Sequence, residues 1–211
     1  MIVMNRSLSR LSISYLLCLL HTHKSGVDEA CEKYLIPKTL FQEVYDLFKD
    51  SLKDLDFRID IIQELLSRGE SPEKIAEAID WRDFEYLVGR YFIENGFKVD
   101  YNYRIRRPRR EIDVLARRGG VLVGVDCKNW DKTLTKSMIR NVVEKQVERL
   151  SYLCSRREFR GYEIYPLIVV MRRGRNIFYN GVGIIPIIGL REFIQDLDVF
   201  IIERLLSPLP C

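Results

Sequence analysis

The chain has 211 residues, of which 47% are hydrophobic and 30% charged, the balance of a globular protein large enough to bury a core, which excludes a fibrous or disordered chain. No apolar run reaches the roughly 18 to 20 residues that a membrane-crossing helix requires. The net charge of +4 conceals a division: residues 1–80 carry 10 Lys and Arg against 14 Asp and Glu, whereas residues 81–211 carry 24 against 16, so the second part is expected to meet a polyanion.

Taken in chain order, the first eighty residues read as helices. Leu11 to Leu20, preceded by Arg6 and Arg10, has the outline of a secretory signal. Ser12, Ser14 and Tyr15 dilute that run and no small-residue cleavage site follows, so an amphipathic helix from Ser7 to Leu20 is the better reading. A second helix is expected from Val27 to Tyr34. Leu40, Phe41, Val44, Leu47, Phe48, Leu52 and Leu55 then recur at three- and four-residue steps. Ile59, Ile62, Leu65 and Leu66 continue to Gly69, and Ser71-Pro72 opens a short helix through Ile79. The stretch from Ile61 to Ile79 has the outline of a helix-turn-helix. Its only cations are Arg68 and Lys74, set among Glu70, Glu73, Glu77 and Asp80. Because DNA affinity comes largely from cations, a packing or dimerising helical cap is favoured over a DNA reader.

Five cysteines, Cys18, Cys31, Cys127, Cys154 and Cys211, are odd in number, scattered and free of any Cys-x-x-Cys pair. They read as reduced thiols in a cytoplasm, with intracellular disulfides of the kind found in hyperthermophiles as the alternative, and argue against a zinc or iron–sulfur site. His21 and His23 lack partners at ligand spacing and suit a helix end.

At Asp80-Trp81 the character changes. Asp80 can cap a helix carrying Phe84, Leu87, Val88, Tyr91 and Phe92, ending at Asn95-Gly96. Phe97, Val99, Tyr101, Tyr103 and Ile105 alternate with polar neighbours as a half-buried strand does. Ile112, Val114 and Ala116 mark a second strand, and Val121 to Lys128 a third after Gly119-Gly120. A long helix from Thr135 to Ser155 follows, then strands from Tyr165 to Met171 and Val182 to Ile187. A helix from Leu190 to Leu197 and a last apolar run from Val199 to Ile202 complete the order.

Asp126-Cys127-Lys128 closes the third strand. Alternation places Asp126 and Lys128 on one face and Cys127 on the other. Charges at the end of a buried strand need partners, because an unpaired buried charge is costly. Asp113 interrupts Ile112 and Val114, and a meander sets it beside the end of the third strand; the strand pattern alone serves an edge-facing aspartate equally well. Glu85 lies at the shoulder of its helix's apolar stripe, with Gly89 one turn on, and taken alone reads as a partly exposed surface glutamate. Gln146 falls inside the apolar stripe of the long helix, where an amide must find hydrogen-bond partners; a satisfied core glutamine and a site residue explain it equally.

Glu85, Asp113, Asp126-x-Lys128 and Gln146-x-x-x-Leu150, in this order of elements, resemble the PD-(D/E)xK nuclease superfamily, and most its Mrr-type restriction endonuclease and archaeal Holliday-junction-resolvase branches. The resemblance runs over roughly residues 80–190. Three positions depart from the pattern: Ile112 replaces proline, Asp126 replaces the more frequent glutamate, and Leu150 stands where related families often carry tyrosine.

The resemblance implies an α/β (α+β) fold with a restriction-endonuclease-like core over residues 80–211 and a central mixed sheet flanked by helices. Residues 1–79 form an all-helical region outside it. It further implies Mg²⁺, with Mn²⁺ as a substitute, held by Glu85, Asp113, Asp126 and the Cys127 carbonyl. Lys128 would orient or help deprotonate the attacking water and offset charge on the phosphate, and Gln146 would steady the lysine or the substrate strand. The implied reaction is hydrolysis of a DNA phosphodiester by a cytoplasmic homodimer. Arg104, Arg106, Arg107, Arg109 and Arg110, five arginines within seven residues, are the expected DNA contact. Arg172, Arg173, Arg175, Arg156 and Arg157 are candidates to extend it. Two other readings stay open: a DNA-binding module with this fold that does not cut, and a transcription regulator built on the N-terminal helix-turn-helix.

Overall fold

A computed structural model of the chain describes residues 8–129 and 135–211. They divide into two compact units, Met1–Phe84 and Glu85–Cys211. Among the described residues no helix is long and apolar enough to cross a membrane.

The first unit is helical: α1 (Ile13–Ser25), α2 (Val27–Lys33), α3 (Lys38–Phe48), α4 (Leu55–Ser67) and α5 (Pro72–Ala78), followed by the start of α6 (Trp81–Glu94). Of the first expected helix, Ser7 lies outside the described residues. The observed α1 begins at Ile13 because the Ser12 hydroxyl accepts the Tyr15 N–H and caps it. Ser71 and Pro72 open α5 as anticipated, with the serine hydroxyl taking the Lys74 N–H. Leu16, Leu19, Phe41, Ile59, Ile62 and Leu65 are each fully buried and supply the core. Arg58 and Asp83 form a buried ion pair: Nε and Nη2 of the arginine donate to Asp83 Oδ1 at 3.0 and 2.9 Å, and Nη1 donates to the Leu52 carbonyl at 2.7 Å.

The second unit is built on a six-stranded mixed sheet: β1 (Lys98–Ile105), β2 (Arg110–Arg118), β3 (Val121–Lys128), β4 (Glu163–Val170), β5 (Ile177–Tyr179) and β6 (Val182–Pro186), in the order β1-β2-β3-β4-β6-β5. The first three strands are an antiparallel meander, β3, β4 and β6 are parallel, and β5 pairs antiparallel with β6. Helix α7 (Lys136–Cys154) makes the crossover from β3 to β4, and α8 (Leu190–Gln195) and α9 (Leu197–Ile202) follow β6. Strand β5 is an addition to the expected order. Its sequence signal is Asn180-Gly181, both at positive φ (49° and 76°), the turn chemistry of a tight hairpin.

Helices α6 and α7 cover opposite faces of this sheet. Gly89 of α6 makes room for the Tyr101 ring, and Tyr101, Val114 and Val125 are register partners on one face. Gly124 makes room for Leu150 of α7 and pairs with Leu115 on the other face. The buried residues of α7 are Val143, Gln146, Leu150 and Leu153, a helical stripe with one polar member.

A Cβ added at Gly124 would lie 2.3 Å from Cδ2 and 2.7 Å from Cδ1 of the fully buried Leu150. Gly124→Ala is therefore expected to cost about 1–3 kcal/mol by overpacking. Urea denaturation checks it as a lower midpoint at unchanged slope.

The cysteines correct the expectation of wholly reduced thiols. Cys154 and Cys211 are joined in a disulfide, while Cys18, Cys31 and Cys127 are free and buried. The pairing depends on the path of the C-terminal tail. The Leu209 N–H donates to the Ile164 carbonyl at 2.8 Å, which lays the tail beside the start of β4 and near the end of α7.

Candidate active site

The sheet edge where β3 and β4 end also receives the β1–β2 turn, because β2 runs antiparallel to β3. The β2–β3 register pairs Leu115 with Gly124 and Val114 with Val125. One further step sets Asp113 opposite Asp126, but the ladder stops, and the carboxylate of Asp113 takes the place of the backbone partner. Its Oδ2 accepts the Cys127 N–H at 2.7 Å. On the other side of β2 the regular pairing lapses at the same place, between Tyr101↔Val114 and Tyr103↔Ile112, where Asn102 has a φ of 51°. Ile112 and Leu115 nonetheless join one core cluster with Leu150. Residues three apart on a regular strand face opposite ways, so the irregular step at Asp113 is what turns Ile112 inward.

Asp126 is 3% exposed and carries two cations. Lys128 Nζ lies 2.8 Å from both of its carboxylate oxygens, and Arg149 Nη1 lies 2.5 Å from Oδ1. The pairing of Asp126 with Lys128 follows from strand alternation. Arg149 comes from α7, where the same Nη1 donates to Gln146 Oε1 at 3.1 Å. Gln146 is completely buried, and its amide nitrogen donates to the carbonyls of Gly124 and Leu167 at 2.8 and 3.3 Å. The amide thereby bridges β3 and β4 and presents its oxygen to Arg149.

Glu85, 5% exposed, comes from the α6 side of the sheet. It is buried where α6 alone suggested a surface glutamate. With the Asn102 amide oriented so that its nitrogen faces the carboxylates, that nitrogen donates to Glu85 Oε2 and Glu111 Oε1, both at 3.2 Å.

The electrostatics reflect this crowding of acids. Burial pushes the Asp113 carboxyl up to about 6; the Cys127 N–H opposes the rise and the Asp126 charge adds to it. Burial raises the Cys127 thiol well above its ordinary value, and the charges of Asp113, Glu85 and Asp126 raise it further. Three carboxylates from three elements thus act on one point of β3. Their hard oxygen donors and surplus negative charge suit a divalent cation such as Mg²⁺. Among the described residues, however, no three acidic, cysteine or histidine side chains are gathered around one point in readiness for a metal. Asp126 is turned onto its own lysine and arginine.

The five arginines of the β1–β2 turn lie at this same sheet edge. Arg104, Arg106, Arg109 and Arg110, with Ile105 and Glu111, line a cleft of about 620 Å³. Arg104 pairs with Glu111 at 3.0 Å and Arg110 with Glu148 at 3.4 Å; Arg106, Arg107 and Arg109 have no ion pair among the described residues. Arg172, Arg173 and Arg175 leave from the end of β4, just beyond Val170, the register partner of Lys128, and line a smaller cleft of about 190 Å³.

Asp113, Asp126, Lys128 and Gln146 are therefore brought to one strand end, and Glu85 approaches it from the opposite face. Arg149 is the member that sequence reasoning missed. Its signal was present: it lies three residues beyond Gln146, on the same side of α7.

The six-stranded mixed sheet with its flanking helices is consistent with a restriction-endonuclease-like fold. Residues 76–154 match the model of the Mrr catalytic domain, described as a restriction endonuclease and a catalytic domain of the PD-(D/E)xK superfamily, which supports a nuclease-type domain. The match includes Glu85, Asp113, Asp126, Lys128, Gln146 and Arg149. No curated protein matches the chain.

Proposed function

We propose that the chain is a metal-dependent DNA endonuclease of restriction, repair or junction-processing type, with Mg²⁺ or Mn²⁺ held by Asp113, Asp126, the Cys127 carbonyl and, directly or through water, Glu85. The observation that carries this reading is the meeting of Asp113, Asp126 and Lys128 at one strand end, beside an arginine-lined cleft. When bound, the cation supplies Lewis-acid polarisation of the phosphoryl group and lowers the pKa of a water. Lys128 orients that water and offsets charge on the phosphate. The Cys127 N–H, donated to Asp113 Oδ2, supports a fixed orientation of that carboxylate. Gln146 fixes Arg149 and so sets where that cation points. The β1–β2 turn grips the DNA backbone, with Arg172, Arg173 and Arg175 extending the contact. Cutting both strands calls for two such sites, which a homodimer provides. A DNA-binding domain that does not cut is the second reading, favoured by the two cations already on Asp126.

The test is incubation with supercoiled, linear, branched and methylated DNA, with Mg²⁺, with Mn²⁺ and with chelator. Cleavage that requires the metal is expected, and binding without cleavage under every condition would leave the non-cutting reading. The turn gives a separate expectation. Arg106→Ala, Arg107→Ala and Arg109→Ala together should weaken binding to a 20-base-pair duplex in chelator more than tenfold, and should lower the slope of log affinity against log salt by about 2–3. Fluorescence anisotropy across a salt series reads both, and an unchanged slope would remove the turn from the interface.

A further inference from the structure

The cation count at Asp126 exceeds what the proposed reaction requires. Lys128 alone, at 2.8 Å from both oxygens, balances its charge. Arg149 then brings a second positive charge to a carboxylate whose side chain is 5% exposed, while its own side chain is 20% exposed. An arginine held there only for stability would gain little from a carboxylate already paired.

The mounting of Arg149 suggests a different use. Its guanidinium touches Gln146 Oε1 as well as Asp126. Gln146 is fixed by two strand carbonyls and completely buried, so it is a stationary anchor. Asp126, in contrast, is the group a divalent cation would compete for. Freed from Asp126, the guanidinium keeps its hold on Gln146 and stays at the strand end where a phosphate would lie. Its several N–H donors allow one to remain on Gln146 while others turn to phosphate oxygens.

We propose that Arg149 is an exchangeable counter-ion: it occupies Asp126 until a divalent cation takes that carboxylate, and it then turns to the DNA phosphate while still held by Gln146. This inference rests on the metal-dependent reading of the site and adds a positioning residue to it.

Competition and structural support predict opposite signs. If Arg149 competes with the cation, Arg149→Met binds Mn²⁺ about tenfold more tightly in calorimetric titration without DNA. If Arg149 merely props Asp126 in place, the same variant binds Mn²⁺ more weakly, and the proposal is overturned. Unchanged Mn²⁺ affinity also overturns it. In single-turnover cleavage at saturating Mn²⁺, Arg149→Met should be about a hundredfold slower, because the contact to the phosphate is gone. Arg149→Lys restores the charge and should return Mn²⁺ affinity to within about threefold of the parent chain. A melting curve in chelator confirms that each variant is folded. The result also separates the two claims. A parent chain that neither binds Mn²⁺ nor cuts DNA defeats the metal-dependent reading and this inference together. A parent chain that cuts, with Arg149→Met binding Mn²⁺ no more tightly, defeats this inference alone.

Discussion

Lys128→Ala is expected to slow DNA cleavage about a thousandfold, the loss typical of removing one well-placed charged group from a reacting centre. It should at the same time change stability by no more than about 1 kcal/mol. The asymmetry follows from the surroundings of Asp126. Lys128 is 31% exposed at its side chain, so its ion pair is partly screened and contributes little to folding. Once it is removed, Asp126 still holds Arg149 at 2.5 Å and is not left as an unpaired buried charge. Lys128→Arg keeps the charge but exchanges a compact ammonium for a planar fork, and is expected to recover only part of the rate. Single-turnover cleavage of supercoiled plasmid with Mn²⁺, together with urea denaturation, separates the two effects. Cleavage by Lys128→Ala at the parent rate would remove the lysine from the chemistry.

The second large effect concerns the N-terminal unit. Asp83→Ala is expected to destabilise the protein by about 3–5 kcal/mol, a large part of the roughly 5–15 kcal/mol that holds a typical protein folded. Arg58 and Asp83 are 6% and 1% exposed. Without the carboxylate, a guanidinium remains buried with the Leu52 carbonyl as its other recorded acceptor. Arg58→Met combined with Asp83→Leu removes both charges and should recover most of the loss, since a buried pair replaced by apolar groups is often neutral. The comparison of single and double variants by urea denaturation is the measurement. A single-variant cost below about 1 kcal/mol would mean that water or another group reaches the site.

The helices of the first unit were legible because local rules govern them. The three- and four-residue spacing of Leu40, Phe41, Val44, Leu47 and Phe48 marks α3, and Ser71-Pro72 marks the start of α5. The expected start of the first helix at Ser7 lies outside the described residues; among them α1 begins at Ile13, where the Ser12 hydroxyl accepts the Tyr15 N–H. Strand β5 was missed because three residues are too few to show an alternating pattern. The disulfide was missed because Cys154 and Cys211 stand 57 positions apart, and proximity at that separation is a property of the whole fold.

The sequence by itself determined the acidic and basic division of the chain, most of the elements, and the types of the residues that now meet at one edge of the sheet. It also determined that Asp126 and Lys128 face the same way, since strand alternation is local. Only the tertiary structure decided how these groups engage. It ended the β2–β3 ladder at Val114↔Val125, so that the Asp113 carboxylate takes the Cys127 N–H. It buried Glu85, and it laid α7 across the sheet so that Gln146 fixes Arg149 against Asp126. Alternation and helical period act over a few residues, whereas the Arg149–Asp126 contact joins groups 23 positions apart. Its formation depends on the path of the α7 crossover and on Gly124 admitting Leu150, which no single stretch of the chain encodes.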